Sequence, residues 1–209
     1  MRIKSTSRFI VGLISVALIG AGIAALAVFF SLNQSSENTA TNSSGPEGFN
    51  VPEISTGQGE EDPGGPEDKT LTVTIPKMSR IENDAVPDAV GDDEESLKNH
   101  AAIHLKGTGF PWQEEANVYL AGHRLGYPNT ESFLAFWDLD NLANGDEVYV
   151  EDADGKKYTY RVFKEVVVNP TDLWVAEPVA GKNILTLQTC TLPDYSQRLV
   201  VQAELVEGA

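Results

Sequence analysis

The chain has 209 residues, a formal charge of −16 and a single cysteine. That length suits one domain with appendages, and one thiol excludes any internal disulfide. An acidic chain without a basic patch is a poor nucleic-acid ligand, so that class of function is set aside.

Taken in order, the chain opens on Arg2, Lys4 and Arg8, followed by the uncharged run Phe9–Phe30. As a helix these residues reach about 33 Å at ~1.5 Å each, enough to cross a hydrocarbon core of ~30 Å. The expectation is a basic cytoplasmic N-terminus over residues 1–8 and a single-pass signal-anchor helix over 9–32, with everything beyond it outside the cell. A cleaved signal peptide is the competing reading, because Ala25-Leu-Ala27 resembles a cleavage site, although the apolar run is longer than the usual ~7–15 residues. Residues 33–68 then carry eight acidic side chains and no Lys or Arg, so half of the excess charge lies there. Rich in Ser, Asn, Gly and Pro, this stretch buries too little apolar surface to offset its ordering entropy and reads as a disordered, self-repelling spacer.

From residue 69 to 209 the pattern is that of strands. Candidates are Leu71–Ile75, Asn117–Ala121, Glu147–Glu151, Lys157–Lys164, Glu165–Asn169, Ile184–Thr189 and Arg198–Leu205, with Asp152-Ala-Asp-Gly155 turning the third into the fourth as a hairpin. Seven strands in so short a domain predict an all-β, closed or nearly closed barrel. Thr130–Leu142 reads as a short helix, capped by Thr130 and packing Phe133, Leu134, Trp137 and Leu142 into the core. Asp92-Asp-Glu-Glu95 reads as a solvated charge run rather than a calcium site. His100 and His104 are four apart, a spacing two metal ligands can share on a helix, but they lack a third ligand and are taken as structural, with His104 near the rim of the site.

Cys190 closes the alternating run Ile184–Thr189, and the chain leaves through Pro193 and Asp194 before Arg198 starts the last strand. His123 and Arg124 follow the apolar run Asn117–Ala121 in the same way and precede Gly126-Tyr-Pro-Asn129. A lone cysteine is a buried small hydrophobe, an intermolecular bridge or a reactive thiol. An imidazole and a guanidinium that also lie at element ends favour the third.

Ala121-Gly-His123-Arg124, followed by Leu187-Gln-Thr-Cys190 and then Arg198, resembles the sortase family, the membrane-anchored cysteine transpeptidases of the Gram-positive cell surface. The likeness runs from about Leu71 to Leu205, and the His123-Arg124 pair is similar to that of several actinobacterial types; overall the chain resembles classes D, E or F without a choice among classes. It implies an eight-stranded sortase-type barrel with short helices. Cys190 would be the nucleophile, His123 the proton carrier and Arg198 the oxyanion partner, with the Thr191 N–H as a second donor. Thr189, Thr191, Arg124 and Tyr127 would border the substrate. Implied substrates are sorting signals resembling Leu-Pro-x-Thr-Gly or Leu-Ala-x-Thr-Gly, cut between Thr and Gly. The implied acceptor is an amine of a peptidoglycan precursor or a pilin, and neither cofactor nor metal is implied. Against this stand a hydrolytic cysteine peptidase, which uses the same pair of groups, and an anchored, non-catalytic β-barrel binding module whose cysteine is only packed.

Overall fold

The computed structural model describes residues 64–208; the signal-anchor expectation and the spacer up to residue 63 lie outside them. Among the described residues no helix is long and apolar enough to cross a membrane.

Among the described residues nine strands and one short α-helix follow in the order β1 (Leu71–Thr74), β2 (Asp84–Val86), β3 (Asp88–Ala89), α1 (Glu94–Asn99), β4 (Ile103–Leu105), β5 (Asn117–Ala121), β6 (Glu147–Glu151), β7 (Lys157–Val168), β8 (Ile184–Cys190) and β9 (Arg198–Gly208). They form one sheet in the order β2-β1-β6-β7-β9-β8-β5-β4-β3. Its two terminal strands are separated in sequence only by Pro87. β2 pairs with β1 through Leu71 and Val86, β3 pairs with β4 through Asp88 and His104, and the His104 N–H donates to the Pro87 carbonyl at 2.8 Å. The sheet therefore curls until its edges meet, giving a nearly closed barrel. Proline has no N–H for a ladder, which is why one extended run counts as two strands.

The strands differ from the sequence reading in two ways. β2, β3 and β4, of two or three residues each, were not foreseen, because no periodicity is visible over so short a run. Conversely, Lys157–Lys164 and Glu165–Asn169 are one strand, β7, with a register shift against β9 between Val162 and Lys164. That bulge reverses the faces: Val162 packs inside the barrel, whereas Val166 and Val168 pack outside. An extra residue in one strand swaps sides without disturbing the sequence alternation.

Apolar residues pack on both faces of β5, β8 and β9. Val118, Leu120, Leu185, Leu187, Leu199 and Val201 fill the barrel, while Tyr119, Ala121 and Val200 pack outside it against Leu97, Val175 and Ala176. All seven residues of β8 are buried as a result, including its polar outward face, Thr186 and Gln188.

Thr130–Leu142 is not a helix but a series of turns ending in a 3₁₀ turn at Leu139–Asn141. The amides of Leu134 and Phe136 donate to the carbonyls of Leu125 and His123, at 2.9 and 3.0 Å, instead of to their own segment. Leu134 adopts a positive φ of 58° as the chain switches between these partners. Phe136 takes the core position, and Phe133 and Trp137, expected inside, are each 40% exposed. The helix lies instead at the acidic run: Asp93 caps α1 by accepting from the Ser96 N–H, and Glu94 and Glu95 occupy its first turn, where carboxylates oppose the helix dipole favourably.

The Asp152–Gly155 turn joins β6 to β7 as expected, with Asp152 Oδ1 accepting from the Asp154 and Lys156 amides. His104 is not at a rim. It is 0% exposed, Nδ1 lies 2.8 Å from Asp88 Oδ1 and Nε2 3.0 Å from the Gly109 carbonyl, and the ring packs on Phe110. Residues 64–68 are seated on the fold rather than belonging to the spacer. Lys69 Nζ donates to the carbonyls of Gly64 and Pro66, and a Cβ at Gly65 would meet the Trp112 ring at 2.3 Å. Only glycine lets the backbone lie that close to the indole.

Candidate active site

Register alone brings the three candidate residues together. β5 and β8 run parallel with Ala121 opposite Gln188, and the pairing continues past the strand end, where the Gly122 N–H donates to the Gln188 carbonyl at 3.0 Å. Two residues on, His123 arrives beside Cys190. On the other side, antiparallel β9 places Arg198 opposite Cys190. Adjacent strands are about 4.8 Å apart, so thiol and guanidinium lie side by side on β8 and β9, with the imidazole two residues past the end of β5 on the other flank of β8. Because side chains alternate, all three belong to the outer face of the barrel wall.

Each is held by a different device. Thr189 Oγ1 donates to the Gly122 carbonyl at 2.8 Å and clamps the end of β8 to the residue before the histidine. The His123 carbonyl is fixed by Phe136, and its ring meets the edge of Tyr127 at 5.6 Å. Tyr127 in turn donates to Glu94 Oε2 on α1. Arg198 is 2% exposed, with Nη1 donating to the carbonyls of Tyr195 at 2.9 Å and Gln197 at 3.1 Å. The loop between the thiol and the guanidinium thus folds back onto the guanidinium.

Several expected substrate contacts have other partners. Thr189 is fully buried and acts as the clamp just described. The Thr191 N–H, expected to face an oxyanion, donates to the Gln197 carbonyl at 3.0 Å and closes the loop. Arg124 pairs with Asp140 and lies 5.9 Å from the centre of the Trp137 ring. Tyr127 is half-buried and braces His123 against α1. Thr186, Gln188 and Cys190 share one face of β8, and sequence reading did not single out Gln188 and Tyr119. These two are buried beneath Cys190 and joined by a hydrogen bond from the Tyr119 hydroxyl to Gln188 Oε1.

Burial dominates the electrostatics. It lowers the His123 pKa to about 4 and raises that of Cys190, the latter opposed by the nearby Arg198 charge. At neutral pH the resting pair is a neutral imidazole beside a neutral thiol, with a permanent cation across the strand. Such a set can perform acyl transfer: a nucleophile, a proton carrier and a donor for developing negative charge. Among the described residues no cluster of His, Cys, Asp and Glu suits a metal ion.

Comparison with known proteins gives the family. The Sortase domain model matches residues 73–206, so the chain belongs to the sortase family. A curated relative, Sortase A of Streptococcus agalactiae serotype III (strain NEM316), is 36% identical over 89 residues, 43% of this chain and 36% of that protein. The match spans little more than a third of that relative's length. Among solved structures, sortase A from Corynebacterium diphtheriae is similar at a TM-score of 0.58 and 26% identity, covering 66% of this chain and 61% of that one. Sortase C-1 from Actinomyces oris gives 0.56 and 29%, covering 66% and 71%, and sortase C of Streptococcus pneumoniae gives 0.57 and 28%, covering 69% and 73%.

Proposed function

We propose that this chain is a cysteine transpeptidase that cuts a sorting signal resembling Leu-Pro-x-Thr-Gly or Leu-Ala-x-Thr-Gly between Thr and Gly and passes the acyl group to an amine. The observation that carries the reading is the pairing of Cys190 with Arg198 across β8 and β9, with His123 just past the end of β5, where the Gly122 N–H still holds the Gln188 carbonyl. Cys190 Sγ attacks the Thr carbonyl as its proton passes to His123 Nδ1 or Nε2, and Arg198 donates to the oxyanion. Collapse expels the Gly amine, which takes the proton back from His123 and leaves a thioester on Cys190. An incoming amine then gives up a proton to His123 as it attacks the thioester, and the thiol is restored. Family membership supports this sequence of steps, and so does burial, since a site withdrawn from water favours an amine over hydrolysis.

Two further features support parts of the reading. Val168 lies opposite Arg198, so the β7–β8 connection starts beside the guanidinium, and it exposes Leu173 and Trp174; that apolar wall suits the Leu-Pro or Leu-Ala end of a signal. The acceptor in this reading is a peptidoglycan-precursor or pilin amine, the second echoing the pilin specificity named for the Streptococcus pneumoniae sortase C. Anchoring by residues 9–32 would hold the domain outside the cell, on the membrane face it shares with such partners.

The test is acyl transfer by the full chain in detergent, using fluorogenic peptides of both signal types with and without an amine. Cleavage that requires Cys190 and yields amine-linked product is expected. Cleavage that survives Cys190→Ala sinks the assignment of the nucleophile. A thiol that resists alkylation, with neither peptide cut, leaves a binding module as the better account.

A further inference from the structure

The outer face of β5, β8 and β9 carries three rows of paired residues. The lowest holds Tyr119, Thr186 and Gln202, the middle Ala121, Gln188 and Val200, and the upper Cys190 and Arg198, with His123 following just past the end of β5. In the lowest row the Thr186 hydroxyl donates to Asn117 Oδ1 at 2.8 Å and receives Gln202 Nε2 at 3.3 Å. Tyr119 reaches up from that row to give its hydroxyl proton to Gln188 Oε1.

Gln188 is 1% exposed, and its Nε2 has no hydrogen-bond partner among the described residues. A buried donor left unmade costs about 1–3 kcal/mol, and such groups are rare enough to ask for a reason. Its neighbours narrow the search for a partner. Ala121 and Val200, beside it in its own row, have no polar side-chain atom, and the hydroxyls of the lowest row already have partners. Since Tyr119 occupies Oε1, the amide nitrogen is the end left for the upper row, where Cys190 is the next residue of β8 on this face.

We propose that Gln188 is a further catalytic residue of this site, its amide oriented by Tyr119 so that Nε2 donates a hydrogen bond to the Cys190 thiolate as it forms. Gln188 gives up no proton; the thiol proton still goes to His123. Tyr119 is the positioning residue. The charged and titratable groups facing the thiol are His123 from the end of β5 and Arg198 from β9, with Tyr119 one row below. In the loop from Thr191 to Gln197, Asp194 is exposed and its carboxylate accepts from Ser196. The resting thiol is neutral and needs no such donor, whereas a thiolate out of water does. The donor thus favours the charged state selectively, adding to the opposing charge of Arg198.

This inference rests on Cys190 as the nucleophile, and its test needs no sorting peptide. The rate of Cys190 alkylation by iodoacetamide is followed against pH in the full chain, in Gln188→Met, of equal length but without donors, and in Tyr119→Phe. Losing one donor to an anion is expected to move the midpoint up by about one pH unit and to slow alkylation at neutral pH about tenfold. Tyr119→Phe, which only frees the amide to turn, shifts it the same way by less. On peptides, kcat falls for Gln188→Met by a similar factor and KM changes little. Superposed pH profiles for wild type and a folded Gln188→Met overturn the proposal. If Gln188→Met does not fold, an unmoved profile in Tyr119→Phe overturns it instead. A shifted profile in a chain that cuts no peptide upholds the role of Gln188 and counts against the transpeptidase reading alone.

Discussion

Burial of His123 makes the folded state sensitive to acid. Burial lowers its pKa from 6.5 to about 4, so the unfolded chain binds a proton there more readily than the native one. Stability from this residue is therefore undiminished above pH ~6.5 and falls as the pH drops towards 4, the loss reaching about 3 kcal/mol below that. In urea titrations, His123→Gln should flatten the fall in midpoint between pH 6.5 and 4; an unchanged slope would assign it to the carboxylates. The same burial holds the thiol neutral, so alkylation of Cys190 should rise into the alkaline range rather than plateau near pH 7. Arg198 bears on this directly: Arg198→Lys keeps a charge but loses the planar set of donors, and a hundredfold or greater loss of kcat, of the size seen for an oxyanion donor, is the expected outcome. The sequence showed these three residues at strand ends. It did not show that Thr189 and the Thr191 amide are bonded within the fold, because main-chain partners are settled only when the loop closes.

At the scale of elements, the histidine loop is built from a segment that gave up its helix. Leu134 and Phe136 N–H groups hold the carbonyls of Leu125 and His123, and Gly126 makes the turn possible: its φ is +61°, and a Cβ there would meet the Ser132 carbonyl oxygen at 2.0 Å. Gly126→Ala should cost about 2–3 kcal/mol, combining left-handed strain with a backbone clash, and lower kcat by displacing His123. Thr189→Val tests the clamp from β8. It removes one buried hydrogen bond and leaves the Gly122 carbonyl unpaired, for a loss of about 1–3 kcal/mol in equilibrium unfolding. Helical spacing in Thr130–Leu142 was real, but short-range periodicity cannot report that two amides have better acceptors in a neighbouring loop. The acidic run before α1 was legible as charge and not as a cap, since capping depends on where Ser96 lies relative to Asp93.

Across the whole molecule the decisive event is closure of the sheet at Pro87. His104 sits at that seam, with its two ring nitrogens on Asp88 and Gly109, so His104→Phe should leave both groups short of a partner and lower stability by about 2–4 kcal/mol in urea unfolding. A variant as stable as wild type would show that the seam does not depend on it. The fold class and the order of His123, Cys190 and Arg198 along the chain were determined by the sequence alone. Alternation, turn residues and a unique cysteine are local properties that survive without a fold. What only the tertiary structure decided is which residues share a row and which face of each strand looks inward. It also decided that β2 and β3 form one run closing the barrel, and that Gln188 lies buried beneath Cys190. These depend on register between segments some seventy residues apart and on a one-residue bulge in β7. No local pattern encodes such pairings, because they are chosen by the combined burial of both faces of the sheet.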